Sequence, residues 1–148
     1  MTQTISDAAT RMAARRDAFL RVVSEGRALM GILNVTPDSF SDGGKFVGRD
    51  AAIAQARKLA ADGADIIDVG AESTRPGHTP VAADEEIRRL APLLDALLAE
   101  VDAPFSIDTY KAETARYAVE RGVCVVNDVW GLQRDPAMAD TVSETGAA

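Results

Sequence analysis

Ala28-Leu-Met-Gly-Ile-Leu-Asn-Val35 is a short aliphatic run that ends in an asparagine and is followed at once by Thr36-Pro37-Asp38-Ser39. It is too brief for a buried helix and carries no polar alternation, which is how a parallel strand covered on both faces reads. The unit returns three times. Ala64-Asp-Ile-Ile-Asp-Val69 ends at Gly70, Phe105-Ser-Ile107 at Asp108, and Val123-Cys-Val-Val126 at Asn127-Asp128. Helical periodicity fills the gaps. Asp50 to Asp62 carries Ile53, Ala56, Leu59 and Ala60 on one face, with Gly63 as its stop. Asp84 to Glu100 carries Ile87, Leu90, Leu94 and Leu97, and Pro92 within it predicts a kink or a late start. Tyr110 to Arg121 stops at Gly122, and Asp135-Pro136 predicts an N-cap and first helical residue for a helix running toward Glu144.

Alternating strands and helices imply a parallel sheet with right-handed crossovers. Two architectures satisfy that pattern, an open doubly wound sheet and a closed (β/α)8 TIM barrel. Asn34, Asp68, Asp108 and Asn127-Asp128 fall at or near the carboxyl ends of successive strands. A barrel builds its active site from several such ends, whereas a doubly wound sheet concentrates ligand contacts at one switch point after a Gly-rich turn. No G-x-G-x-x-G motif opens a helix here. The connections agree: helix-to-strand links are short, while Thr36 to Arg49 and Ala71 to Ala83 are long, as binding loops often are. The expected fold is therefore the barrel. A complete one needs ~250 residues, so the chain is read as an N-terminal helical extension over 1–27 and the first four βα units over 28–148. Thr145-Gly-Ala-Ala148 then reads as a helix stop leading into a fifth strand. Half a barrel leaves two sheet edges exposed, a hazard for swapping and aggregation.

Composition limits the partners. The chain has 148 residues, 47% hydrophobic and 26% charged, with 16 Lys+Arg against 23 Asp+Glu and a net charge of −7. That is a globular balance without a broad cationic surface for nucleic acid, so an anionic ligand needs local cations, helix N-termini or a metal. No apolar run approaches the ~20 residues of a bilayer span, and no signal-peptide core follows the N-terminus. The Arg-bearing first residues read as a surface helix or an organelle transit segment. One cysteine, Cys124, excludes an internal disulfide and fits a reducing compartment, so a cytoplasmic location is expected.

Met30-Gly-Ile-Leu-Asn-Val-Thr-Pro-Asp-Ser-Phe-Ser-Asp-Gly-Gly44 resembles the first signature of dihydropteroate synthase, and Ile67-Asp-Val-Gly-Ala-Glu-Ser-Thr-Arg-Pro-Gly77 resembles its second. Ser106-Ile-Asp-Thr109 and Val126-Asn-Asp-Val-Trp-Gly131 fit the strand ends that follow. The resemblance implies a barrel enzyme that joins 6-hydroxymethyl-7,8-dihydropterin diphosphate to p-aminobenzoate, releasing diphosphate. It implies pterin contacts from Asp108 and Asn127, a Mg2+ contact from Asn34, and p-aminobenzoate or loop roles for Asp38, Phe40, Thr74, Arg75 and Pro76. Sulfonamide inhibitors and a homodimer of the complete enzyme belong to the same expectation.

Each residue also has a plainer reading. Asn34 could cap its own turn, yet its amide oxygen is a hard ligand of the kind Mg2+ accepts beside waters and phosphates. Phe40 could anchor its loop or stack on a ring. Arg75 could be solvated or serve as a fixed cation in an acidic protein. Asp108 could be a helix cap. As a pterin ligand it would accept from coplanar N–H donors while Asn127 offers an acceptor and a donor. His78, the only histidine, reads as a loop residue. Cys124 reads as a small buried hydrophobe, and Asp128 and Trp130 as loop support. The reaction that the resemblance implies needs no protein nucleophile, since positioning and electrostatic stabilisation of separating charge would suffice. The chain alone is expected to give no turnover, since further family contacts come from later strands. Two alternatives stay open: a pterin-binding methyltransferase barrel, and a non-catalytic half-barrel that serves in assembly.

Overall fold

The aliphatic runs become strands because one of their two faces is closed over by helices. The computed structural model describes residues 2–35, 44–72 and 80–148. Helix α1 (Thr2–Ser24) precedes β1 (Met30–Asn34), α2 (Gly44–Ala61), β2 (Ile66–Gly70) and α3 (Ala83–Glu100). Then come β3 (Phe105–Asp108), α4 (Ala112–Val119), β4 (Val125–Asn127) and α5 (Met138–Thr145). All strand pairs are parallel, and the sheet order is β1-β2-β3-β4.

Leu33, Val35, Ile67, Val69, Phe105 and Ile107 share one side of the sheet with Ile53 and Ala56 of α2, with Leu90, Leu93, Leu94 and Leu97 of α3, and with Ala118 of α4. Met138 of α5 joins that layer through Ala112, Ala115 and Val126. Sequential strand order with α2 to α5 on a single side is a barrel segment. A doubly wound sheet would reverse its order and carry helices on both faces. The opposite face of β1 is open: Met30 and Ile32 are 37% and 52% exposed.

Helix α1 lies at the amino ends of the strands. Met12 packs on Val119 and Cys124. Arg15 pairs with Asp102 at 3.3 Å, and Arg16 donates to the Gly146 carbonyl at 2.5 Å, both acceptors lying in helix-to-strand connections. Among the described residues no helix is long and apolar enough to cross a membrane.

Several boundaries differ from the sequence expectation, each for a visible reason. Helix α2 starts at Gly44, not Asp50, so the first connection is shorter than expected. Its first turns hold two glycines and no apolar stripe, which hid them, but Arg49 there pairs with Glu100 of α3 at 3.1 Å. Helix α3 runs unbroken past Pro92, which sits on its exposed side, so no late start occurs. Helix α5 begins two residues after Pro136 because the Asp135 carboxylate is used elsewhere. Its Oδ2 accepts from the Ala112 amide at 2.8 Å, capping α4, and its Oδ1 accepts from Ala137 at 3.0 Å. The expected helix stop is present at Gly146, in the left-handed region at φ 72°. Beyond it, the Ala148 amide donates to Cys124 O at 3.1 Å and Val126 N donates to Ala148 O at 2.8 Å, a further parallel pairing on the β4 edge.

Leu94 is fully buried at the centre of the helix–sheet layer. Leu94→Ala is expected to cost about 2–5 kcal/mol through lost transfer energy plus a cavity, read as a lower urea midpoint at unchanged m-value.

Candidate functional site

Side chains alternate along a strand, so parallel partners in register point to the same side. On the face away from the helices, one tier holds Ile32, Asp68, Ser106 and Val125. The next tier is made of the last residue of each strand. Asn34 pairs with Gly70, and Asp108 with Asn127. Gly70 closes the gap between the pairs: a Cβ there would meet Asp108 Cβ at 3.4 Å and Oδ2 at 3.5 Å. The absent side chain leaves that space open beside the carboxylate.

Beneath this tier Asp68 is 3% exposed. Its Oδ1 accepts from Ser106 Oγ at 2.5 Å, and its Oδ2 accepts from Asn127 Nδ2 at 3.1 Å. Burial pushes the Asp68 carboxyl up from its ordinary value, and the two hydrogen bonds work against that shift. Because the Asn127 amide donates through its nitrogen to Asp68, its oxygen is turned away from that carboxyl. Asp108 is half-buried. Burial, then the charges of Asp68, Glu86, Asp128 and Glu72, push its carboxyl up to about 6. The site therefore presents a carboxyl that ionises near neutral pH beside a held amide. That is a planar donor–acceptor edge for a ring with matching groups.

A second cluster braces the tier from behind. Lys111 donates to Glu72 and, at 2.9 Å, to Glu86 Oε2. Glu86, wholly buried on α3, also accepts from Thr109 Oγ1 at 3.2 Å and Thr114 Oγ1 at 3.0 Å through the same oxygen. Its Oε1 has no partner among the described residues. Tyr110 OH donates to Glu72 Oε1 at 2.9 Å. Burial lowers the Lys111 ammonium, but its hydrogen bonds to Glu72 and Glu86 and their charges outweigh that, and the net shift is upward. The Arg134 guanidinium lies 4.1 Å from the Tyr110 ring centroid and 5.1 Å from that of Trp130.

Of the residues singled out in the sequence, Asn34, Asp108 and Asn127 come together in one tier. Asp38, Phe40, Thr74, Arg75, Pro76 and His78 lie outside the described residues. Cys124 is fully buried, and burial pushes its thiol up, as befits a packed rather than reactive sulfur. Asp128 supports its loop, accepting from Trp130 N at 2.9 Å and Leu132 N at 3.0 Å. Sequence reasoning missed the Glu72–Lys111–Glu86 cluster. The one local signal was a charged residue just past two strand ends, in Gly70-Ala-Glu72 and Asp108-Thr-Tyr-Lys111. Its partner on α3 is distant in sequence.

Comparison with known proteins gives this geometry its context. Residues 30–148 match the family model described as pterin binding enzyme. The dihydropteroate synthase of Clostridium beijerinckii is 49% identical over 122 residues, covering 82% of this chain and 45% of that protein. The solved structure of dihydropteroate synthase from Clostridium difficile in the presence of pteroic acid superposes with a TM-score of 0.77 at 56% identity, covering 81% of this chain and 46% of that one. The Xanthomonas albilineans enzyme with 4-aminobenzoic acid gives 0.71 at 48% identity, with coverage of 79% and 43%. The chain thus spans a little under half the length of the relatives it matches. With a family match over most of its length and four strand ends gathered into one polar tier, the chain belongs to the pterin binding enzyme family.

Proposed function

We propose that these residues supply the first four βα units of a dihydropteroate synthase, 28–148 forming barrel and 1–27 an extension. The observation that carries the reading is the strand-end tier, with Asp108 and Asn127 side by side and Asn34 one strand beyond Gly70. In this reading Asp108 accepts from the coplanar N–H groups of the dihydropterin, and Asn127 completes the edge through its oxygen. A ring without those groups would leave buried polar atoms unpaired and be rejected. Asp38, Phe40, Thr74, Arg75 and Pro76 would shape the p-aminobenzoate side.

Among the described residues no cluster of three or more His, Cys, Asp or Glu could hold a metal by itself. Mg2+ does not require one, since it keeps several waters and binds through few protein oxygens plus substrate phosphate. Asn34, exposed at the end of β1, fits that demand and is the residue that would hold it. When bound, the ion would neutralise charge on the departing diphosphate. In the reaction the carbon–oxygen bond to diphosphate breaks, the electron-rich dihydropterin spreads the positive charge left at its methylene carbon, and the p-aminobenzoate nitrogen then bonds to that carbon and releases a proton. The protein holds the two partners in place and needs no covalent intermediate.

The direct test is dihydropteroate formation by the complete barrel that carries these residues, with sulfonamide competing against p-aminobenzoate. Product formation with competitive inhibition is expected. A barrel that binds pterin yet ignores sulfonamide would point to the methyltransferase alternative. Asp108→Ala in that barrel is expected to weaken pterin diphosphate binding about a hundredfold or more, by removing a charged acceptor from a desolvated edge. Equal binding would remove Asp108 from the site.

The raised Asp108 pKa sets a pH signature. Native Asp108 takes up its proton near 6, above the unfolded value of 3.8. Between those values the folded state holds more protons than the unfolded one, so Asp108's contribution to stability falls as pH rises through that window. Pterin affinity moves the other way, because the acceptor exists only when ionised. It is expected to weaken by up to about tenfold per pH unit below 6, and Asp108→Asn should flatten that slope in a calorimetric titration.

A further inference from the structure

Three groups of opposite charge meet behind the tier, and no step of the proposed chemistry uses them. Lys111 ends the turn that starts at Asp108, Glu72 stands two residues past the end of β2, and Glu86 sits on the first turn of α3. The Lys111 ammonium spans both carboxylates, Tyr110 OH ties the same turn to Glu72, and Thr109 Oγ1 ties it to Glu86. Thr109 also fixes the turn itself, accepting from Lys111 N at 3.2 Å, and its own amide donates to Asn127 O at 3.2 Å. The turn of Asp108 is therefore anchored on the preceding strand's exit and on the next strand at once.

We infer that Lys111 is a positioning residue, whose buried ammonium holds the Asp108 turn in fixed relation to the strand exit at Glu72. This deepens the dihydropteroate synthase reading and rests on it, because Asp108 is the residue assigned there to the dihydropterin ring. One cation thus sets where the Asp108 carboxylate stands relative to the neighbouring strand exit. The geometry supports it independently of any titration. Lys111 and Glu72 side chains are 13% and 3% exposed and Glu86 is 0% exposed, so the contacts are shielded from the screening that weakens surface pairs.

The test uses the complete barrel with Lys111→Met, Glu72→Gln and Tyr110→Phe singly, and the first two combined. Lys111→Met is expected to raise the dihydropterin diphosphate KM by about tenfold to a hundredfold and to lower kcat, as misplacement of a reacting partner does. Glu72→Gln should act in the same direction, and the double variant should be about as impaired as Lys111→Met alone, because both remove one linkage. Lys111→Arg should recover part of the loss. Tyr110→Phe removes only a hydroxyl, and should raise KM a few-fold even if Lys111→Met does not fold. A lysine of purely structural value would lower Tm while leaving the KM of the folded enzyme unchanged and the two losses additive; that result overturns the inference. Hydrogen exchange needs no turnover. Amides at 70–72 and 109–111 should exchange faster in Lys111→Met or Tyr110→Phe while α2 is unaffected, and unchanged exchange there overturns the inference in a barrel of any activity. Absence of product from the unmutated barrel would instead sink the functional reading, with exchange still deciding the role of Lys111.

Discussion

Unslipped parallel register is the constraint on which the rest depends. A strand alternates its side chains, so shifting any one strand by a residue would swap its core face with its open face. Leu33, Val69 and Ile107 would then leave the helix layer, and Asp68 and Asp108 would enter it. The apolar layer under α2 and α3 makes that exchange prohibitive. The same burial that stabilises the sheet therefore decides which polar residues share the opposite tier. The site needs no independent device to bring Asn34, Asp108 and Asn127 together, because hydrophobic register does so.

Polar groups beneath and behind that tier come at a cost, and the structure meets it unevenly. Asp68 is almost wholly buried but receives two hydrogen bonds. Glu86 gathers three donors on one oxygen and none among the described residues on the other. Two carboxylates face one ammonium, and the residual negative charge is felt by Asp108 along with that of Asp68 and Asp128. Buried ionic groups of this kind rarely stabilise more than well-packed apolar ones would. Their retention here agrees with a fold that gives up some stability for a defined arrangement at its strand ends.

Much of this was legible in the chain. Short aliphatic runs ending in Asn34, Asp108 and Asn127 revealed parallel strands with a polar carboxyl end, since burial on one face and polar side chains at the tip leave separate marks. The stop at Gly146 was legible for the same local reason. What escaped was nonlocal. Asp135 reads as the cap of the helix that follows it, yet its carboxylate caps α4, over twenty residues upstream. The first turns of α2 carry glycines that hide a helix held by Arg49 and Glu100. The pairing of Lys111 with Glu86 leaves no mark, because nothing near Lys111 in sequence announces a partner on α3. Contacts that join distant segments leave no periodic trace.

Gly70 sits where every other strand of the sheet ends in an amide or a carboxylate. Its missing side chain makes the width of the recess a property of the backbone, which cannot rotate away or adapt. A methyl group grown from position 70 would narrow that berth and lie directly against the Asp108 carboxylate, 3.4 Å from its Cβ and 3.5 Å from Oδ2. Room above the sheet and freedom of the neighbouring carboxylate are thus set by the same missing atom, so neither can change at position 70 without the other.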